Sequence, residues 1–144
     1  MQKDIDLILH KIPHVKPYRF VDSIKEVSDN HIIGSCNLES DSFFYKGHFP
    51  ANPITPGYII TEVMAQIGIL GLGIYLVKNN LHEVTNAFLT STNVKFHDVS
   101  YPNDTITVNS QKIYFRFNKL KCHIKAFNQN GKILCSGVFS GLIK

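Results

Sequence analysis

The stretch from Ile54 to Val77 constrains the fold more than any other part of the chain, because Glu62 is its one formally charged side chain. A segment this apolar forms either a membrane span or a helix that protein surrounds on all sides. Its interior also holds Thr61, Gln66, Gly68, Gly71 and Gly73. Since a carboxylate in the middle of a bilayer costs several kcal/mol, we expect a buried helix and keep the membrane span as the alternative.

The two ends of this helix can be predicted from residue types. Thr55 is a suitable N-cap, and Pro56 suits the first helical position, where an N–H group would have no intrahelical acceptor in any case. Asn79 and Asn80 favour a turn. The helix is therefore expected to begin at Pro56 and to end near Lys78.

The segments on either side of the helix alternate apolar and polar residues, a pattern typical of strands with one buried face. Six strands are predicted, over 18–27, 31–38, 85–96, 105–117, 119–128 and 132–143. The first two flank the turn-forming residues 28–30 and predict a hairpin, and the last four are expected to form an antiparallel meander. A short leading helix is predicted over 4–10.

A flat sheet cannot cover a helix that is apolar all round, so the sheet is expected to curve strongly and wrap around the helix. This is an α+β architecture with one long central helix. At 144 residues the chain has the usual length of one domain, and we expect residues 1–144 to form a single domain.

Charge and cysteine usage exclude several classes of function. Fifteen Lys and Arg against eleven Asp and Glu leave a formal net charge of +4, too small and too scattered to predict nucleic-acid binding, although it suits an acidic protein partner. The odd number and wide spacing of Cys36, Cys122 and Cys135 predict neither disulfides nor a metal site. Together with an N-terminus that lacks a secretory signal, these thiols predict a cytoplasmic protein.

Two residues in the block from Gly47 to Gln66 are candidates for proton transfer. His48 differs from the other histidines because Gly47 and nearby prolines fix the backbone around it. Glu62 is costly to bury, which favours a functional role; the alternative is a helix face that reaches solvent. Gln66 lies one helical turn further on, where its amide can orient the Glu62 carboxyl group.

Gly57 is a candidate donor to a bound ligand. It falls in the first helical turn, where backbone N–H groups have no intrahelical partner and the helix dipole is positive. A donor of this kind can stabilise negative charge that develops on a carbonyl oxygen, an interaction worth about 3 kcal/mol. The alternative is a glycine that is merely tolerated after proline.

The block from Gly47 to Gln66 reads G-H-F-P-x-N-P-x-x-P-G-x-x-x-x-E-x-x-A-Q. It resembles the signature of the FabZ-type 3-hydroxyacyl-acyl carrier protein dehydratases. The resemblance extends to both sides of the block, through Pro13, His14, Pro17, Val21 and Asp22 before it and Lys95, Phe96, Pro102 and Asp104 after it.

The resemblance implies a hot-dog fold and a role for each residue of the block. His48 matches the catalytic histidine of the family and Glu62 its catalytic acid, and the two would meet across a dimer interface. Gly57 matches the backbone oxyanion donor and Gln66 the partner of the acid. No metal or other cofactor is implied.

The resemblance also implies the substrate and the partners. The substrate would be a (3R)-hydroxyacyl chain linked through phosphopantetheine to acyl carrier protein, dehydrated to the trans-2-enoyl product in fatty-acid synthesis or a related pathway. The chain would act as a homodimer or a larger assembly of dimers. Phe49 and Tyr58 complete the expected substrate-binding set.

The sequence departs from the family pattern at several positions. Thr55 and Tyr58 stand where aliphatic residues are usual, and they predict a reshaped acyl tunnel. His97 and Asp98 stand where a basic pair is usual, and Asn103 replaces a glycine before Asp104. These changes favour a specialised lipid or polyene pathway and an altered carrier-docking surface.

Two other functions fit the same fold. A hot-dog thioesterase would hydrolyse the same class of thioester, and a non-catalytic subunit would bind an acyl chain or pair with an active partner. A thioesterase does not need His48, and an idle subunit would be expected to have lost His48 or Glu62. The presence of both residues favours the dehydratase.

Overall fold

A computed structural model describes residues 1–83 and 86–144. It contains two helices and six strands. In chain order these are α1 (Gln2–Lys11), β1 (Ser23–Val27), β2 (His31–Asn37), α2 (Gly57–Leu76), β3 (Ala87–Phe96), β4 (Thr105–Arg116), β5 (Lys119–Phe127) and β6 (Ile133–Ile143). Short 3₁₀ turns lie at Phe43–Tyr45 and Lys78–Glu83.

The six strands form one antiparallel sheet in the order β1-β2-β4-β5-β6-β3. Four of the five strand pairs contain a register shift, and such bulges bend a strand and increase its twist. The sheet wraps around α2, which packs on β2, β4, β5 and β6. The predicted hot-dog architecture is confirmed.

The predicted four-strand meander is wrong for its first strand. β4, β5 and β6 form a meander, but β3 pairs with β6 at the edge of the sheet, and β2 takes the place beside β4. Tight turns join β4 to β5 and β5 to β6, whereas residues 97–104 separate β3 from β4. That longer connection allows β3 to lie at the edge of the sheet, away from β4. The prediction was wrong because the alternation of apolar and polar residues in a strand does not indicate which strand it pairs with.

The boundaries of the first predicted strand also need correction. The strand predicted over 18–27 begins only at Ser23. Tyr18 and Phe20 use their backbone groups elsewhere: Tyr18 O accepts a hydrogen bond from Gln66 Nε2, and Phe20 N–H donates to Gln66 Oε1. The hairpin turn over 28–30 is confirmed, with Ser28 N–H donating to His31 O over 2.9 Å. Thr85, where a later strand was predicted to begin, lies outside the described residues.

The central helix begins at Gly57, with Pro56 as its N-cap, so the predicted start at Pro56 with Thr55 as N-cap is one residue too early. The Thr55 hydroxyl instead hydrogen-bonds to Tyr45 and Ser100. By length and composition Gly57–Leu76 could cross a membrane, but 72% of its most apolar stretch is buried inside the protein. The sheet therefore supplies the apolar surroundings that the sequence requires.

Close contact with the sheet explains the glycines of α2. A Cβ atom on Gly68 would lie 2.5 Å from Ile124 Cδ1, and one on Gly73 would lie 2.6 Å from Ile143 Cδ1. The helix is π-helical over Gln66–Gly71, and Ser110 Oγ donates to Gly68 O within this segment over 3.0 Å. The sheet thus satisfies a carbonyl at the point where the helix is irregular.

The three cysteines are buried free thiols in the core, as predicted. Burial raises the pKa of Cys36 to about 12 and the pKa values of Cys122 and Cys135 to about 11. These thiols are therefore protonated at neutral pH and chemically quiet.

Candidate active site

Glu62 and Gln66 form a fixed pair on one face of α2. Gln66 Nε2 donates to Glu62 Oε2 over 2.8 Å. The same amide is anchored from the chain before β1, because Gln66 Oε1 accepts from Phe20 N–H at 2.8 Å and Nε2 also donates to Tyr18 O at 3.0 Å. Gln66 is 1% exposed, so its amide has one orientation and holds the carboxyl group in one place. The predicted pairing is confirmed.

The Glu62 carboxyl group opens into a cavity of about 270 Å³. One wall belongs to α2 and the other to the beginning of β3. The lining residues are His14, Glu62, Ala65, Gln66, Ile69, Leu70, Ala87, Phe88 and Leu89. Glu62 and Gln66 are therefore polar groups in a largely apolar pocket, an arrangement suited to an acyl chain with a reactive polar end.

Sequence reasoning gave His14 no role, yet it lies beside Glu62. Its Nε2 is 3.9 Å from Glu62 Oε2, and its Nδ1 is buried with no hydrogen-bond partner among the residues that the structure describes. Tyr18 completes this group, since burial and the nearby Glu62 carboxylate raise the pKa of its hydroxyl. The signal that could have identified His14 was its place in the Pro13–Pro17 segment of the family pattern.

His48 lies in the loop before α2 with its tautomer fixed by one contact. Its Nδ1 is 2.9 Å from Ile54 O. A carbonyl oxygen only accepts, so Nδ1 carries the proton and the neutral ring keeps its lone pair on Nε2. The next residue, Phe49, has a positive φ of 58°, and its ring packs edge-on to the imidazole with 4.7 Å between centroids. The half-buried imidazole is therefore ready to accept a proton at Nε2.

Gly57 is the first residue of α2, as the predicted oxyanion role requires. Among the residues that the structure describes, the first amide of α2 with an acceptor is that of Ile59, which donates to Pro56 O at 3.0 Å. The face where a Cβ atom would stand is covered by the Phe96 ring, whose Cζ would lie 3.0 Å from that atom. The glycine therefore lets an aromatic side chain of β3 approach the helix start.

The structure of one chain does not join all the predicted site residues. Glu62 and Gln66 are in contact, and His48 and Gly57 are linked through the short segment between Ile54 and Gly57. Within the described residues no hydrogen bond or ion pair connects His48 to Glu62, and His48 does not line the Glu62 cavity. Phe49 and Tyr58 are largely exposed.

No cluster of three or more His, Cys, Asp or Glu side chains suited to a metal ion occurs in 1–83 or 86–144.

Strand β3 is an uncovered edge in the part of the chain that the structure describes. The opposite edge strand, β1, is contacted by α1. All residues of β3 except Val94 are exposed, including Phe88 and Phe96, which are 49% and 53% exposed. An edge strand of this length with exposed aromatic residues is a template for pairing with another strand.

Comparisons with known proteins identify the family of this chain. A family model described as a FabA-like domain matches residues 12–135. The 3-hydroxyacyl-(acyl-carrier-protein) dehydratase FabZ of Caldicellulosiruptor bescii is 33% identical over 142 residues, which cover 98% of this chain and 99% of that protein.

Solved structures share the fold. The dehydratase heterocomplex ApeI:P of Xenorhabdus doucetiae superposes with a TM-score of 0.77 over 95% of this chain and 90% of that chain, at 16% identity. A hypothetical thioesterase of Streptococcus pneumoniae, solved with coenzyme A, superposes with a TM-score of 0.64 over 85% of this chain and 84% of that chain, also at 16% identity. At these identities the two likenesses establish the fold alone.

Proposed function

This chain belongs to the FabA-like family, and we propose that it converts (3R)-hydroxyacyl thioesters on acyl carrier protein to trans-2-enoyl thioesters with His48 and Glu62 as its catalytic pair. The family match and the full-length relatives identify it as a 3-hydroxyacyl-acyl carrier protein dehydratase of fatty-acid or related pathways. The activity expected from the sequence is thereby confirmed. The whole chain, 1–144, is proposed to form the one catalytic domain.

The proposed chemistry uses one base, one acid and one backbone donor. Neutral His48 removes a proton from the carbon next to the thioester through Nε2, and protonated Glu62 gives a proton to the departing 3-hydroxyl group. Electrons from the broken C–H bond form the new double bond, and hydroxide leaves as water. The Gly57 N–H stabilises the negative charge on the thioester oxygen during this step.

The observation that carries this proposal is that both proton-transfer groups are held in a defined orientation. Ile54 O fixes the proton of His48 on Nδ1, and Gln66 fixes the Glu62 carboxyl group. A thioesterase that uses one carboxylate and water does not need the fixed His48 imidazole. Phe49 and Tyr58 are proposed to bind the acyl chain or its pantetheine arm, since both present exposed rings near the N-terminal end of α2.

A homodimer completes the site in this proposal. Pairing of β3 with the β3 of a second chain would be an isologous contact that covers the exposed edge. Ala87, Phe88 and Leu89 at the beginning of β3 also form a wall of the Glu62 cavity, so the partner would approach this cavity directly. His48 of the partner subunit would then face Glu62, since the two residues do not meet within one chain.

We further propose a carrier-linked substrate, a cytoplasmic location and a specialised pathway. Acyl carrier protein is the partner in the names of the full-length relatives, and the three free buried thiols suit a reducing compartment. Thr55 and Tyr58 favour a specialised lipid or polyene pathway over housekeeping synthesis. A metal or an organic cofactor is not part of the proposed mechanism.

The direct test is an assay of the purified protein with a 3-hydroxyacyl thioester. Rising absorbance of the conjugated enoyl product without release of free thiol supports a dehydratase. Release of free thiol without the enoyl product would identify a thioesterase instead. Binding of the acyl carrier without turnover would identify a non-catalytic subunit.

A further inference from the structure

A chain of four buried polar side chains lies behind the loop that carries His48. Tyr45 Oη is 2.6 Å from Thr55 Oγ1, Thr55 Oγ1 donates to Ser100 Oγ over 3.0 Å, and Ser100 Oγ donates to Asp104 Oδ2 over 3.3 Å. All four side chains are buried, with Thr55 5% exposed and Ser100 1% exposed. Polar groups at this depth are costly unless each one is paired.

The donor and acceptor of each hydrogen bond in this series of four side chains follow from the Asp104 carboxylate at its end. Asp104 accepts from Ser100, so the hydroxyl proton of Ser100 is committed to the carboxylate. Thr55 commits its own proton to Ser100, and Tyr45 must therefore donate to Thr55. Hydrogen bonds that point the same way polarise one another, and these end on the Asp104 carboxylate. Together they are therefore stronger than isolated hydroxyl pairs.

The far side of Asp104 is also fixed. Its Oδ1 accepts from Gln129 Nε2 at 3.0 Å, and its Oδ2 accepts from Tyr101 N–H at 2.9 Å. The Thr55 backbone adds one more contact, since Thr55 N–H donates to Ser100 O over 2.7 Å. Thr55 is therefore tied to the 100–104 loop by both its side chain and its main chain.

Both neighbours of Thr55 in the chain serve the proposed catalytic groups. The residue before it is Ile54, whose carbonyl oxygen accepts the Nδ1 proton of His48. The residue after it is Pro56, the N-cap of α2, which precedes the Gly57 amide. A rotation of the Thr55 peptide planes would change the hydrogen bond of His48 and the direction of the Gly57 N–H together.

We propose that Thr55 is a positioning residue whose buried hydroxyl, through Ser100 and Asp104, fixes the Ile54–Gly57 segment and with it the His48 tautomer and the oxyanion donor. This rests on the proposed function of His48 and Gly57. Thr55 stands where the family pattern that this sequence resembles usually has an aliphatic residue, and an aliphatic side chain could not form these hydrogen bonds. Thr55 touches no reacting atom and acts only through its neighbours.

Two substitutions separate the hydroxyl from the shape of the side chain. Thr55→Val keeps the β-branched shape and removes the hydroxyl, whereas Thr55→Ser keeps the hydroxyl and removes the methyl group. Thr55→Val is expected to lower kcat by about ten- to a hundredfold with KM changed less than about threefold, because the reacting groups are misplaced while the acyl pocket is intact. Thr55→Ser is expected to keep kcat within about threefold of the unsubstituted protein.

A spectroscopic readout reports the positioning without turnover. In ¹⁵N NMR of the unsubstituted protein, His48 is expected to show one neutral tautomer with its proton on Nδ1. In Thr55→Val the two ring-nitrogen shifts of His48 are expected to approach each other, as they do when both tautomers are populated. Thr107→Val serves as the matched control, since it removes a hydroxyl from β4 that is not hydrogen-bonded to Tyr45, Thr55, Ser100 or Asp104. It should leave kcat and the His48 ring-nitrogen shifts unchanged.

The outcomes are decisive for Thr55 even if the proposed chemistry is wrong. Unchanged His48 shifts in a folded Thr55→Val protein overturn the inference, whatever its activity. Equal loss of kcat in Thr55→Ser and Thr55→Val overturns it as well, because packing rather than the hydroxyl would then matter. If Thr55→Val does not fold, Ser100→Ala removes the acceptor of the same proton and is judged by the same shifts. An unsubstituted protein that does not dehydrate the thioester contradicts the proposed function alone.

Discussion

Gln66 holds Glu62 from one helical turn away, with its Nε2 donating to Glu62 Oε2 over 2.8 Å while Phe20 N–H holds the other end of the amide. The carboxyl group is therefore tied to the segment before β1 as well as to its own helix. Two parts of the chain that are far apart in sequence therefore orient the Glu62 carboxyl group.

Replacing Gln66 by leucine should therefore impair both activity and stability. Glu62 would lose its donor, and the buried Phe20 N–H and Tyr18 carbonyl would lose their partners. We expect kcat to fall by at least about tenfold and the free energy of unfolding by about 2 kcal/mol. Steady-state kinetics and urea denaturation measure the two effects.

Gln111→Leu is the matched control, because Gln111 is an exposed glutamine on β4 whose side chain, within 1–83 and 86–144, bonds to the nearby Asn109 side chain alone. It should change the free energy of unfolding by less than about 0.5 kcal/mol and leave kcat unchanged. A Gln66→Leu protein as active as this control would show that Glu62 needs no such partner.

The central features of the site could be predicted from the sequence because they are local. The apolar segment with one carboxyl group predicted the buried helix, and the four-residue spacing of Glu62 and Gln66 predicted their contact. The first residue of α2 was misplaced by one position, because the Thr55 hydroxyl is used by Ser100 of a distant loop. No local pattern reports a partner that lies 45 residues away.

Non-local contacts also explain what was missed. The beginning of the first predicted strand was wrong because Tyr18 and Phe20 bond to Gln66 instead of a neighbouring strand. The edge position of β3 depends on pairing with β6, the last strand of the chain. His14 approaches Glu62 only after the segment before β1 has folded onto α2.

Gly137→Ala should strongly destabilise the sheet. A Cβ atom on Gly137 of β6 would lie 2.8 Å from Val94 Cα and still closer to the Asn93 carbonyl oxygen, both on β3. Backbone atoms cannot move aside without separating the two strands, so the free energy of unfolding should fall by about 2 to 3 kcal/mol. Gly47→Ala is the control for denaturation, since a Cβ atom there meets nothing within 4 Å, and a similar loss in both variants would contradict the packing.

Stability should decline in alkaline solution because of Cys36. The unfolded thiol ionises near its ordinary pKa of 9.0, while burial raises the folded pKa to about 12. Between these values the folded state binds more protons, so the free energy of unfolding falls as pH rises. Urea denaturation from pH ~8 to ~10.5 should show this slope, and Cys36→Ala should reduce it. An identical slope in the variant would refute this role of Cys36.

A charge on β3 should weaken the proposed dimer. Thr92 is exposed near the middle of β3, where two-fold pairing would bring the residue close to its copy and make two lysines repel. Thr92→Lys should raise the dimer dissociation constant by about tenfold or more in analytical ultracentrifugation. Thr107→Lys on β4 should leave it unchanged. Equal constants in the two variants would place the interface elsewhere.

Mixing two inactive variants tests most directly whether His48 and Glu62 meet across the dimer. His48→Ala and Glu62→Gln chains, each inactive alone, are assembled at random in equal amounts and assayed with a 3-hydroxyacyl thioester. Half of the dimers then contain one chain of each kind, and a shared site gives each of them one intact His48–Glu62 pair. The mixture is therefore expected to have about a quarter of the unsubstituted activity. No activity in a mixture shown to contain such dimers would contradict it, because sites built within one chain cannot be restored by mixing.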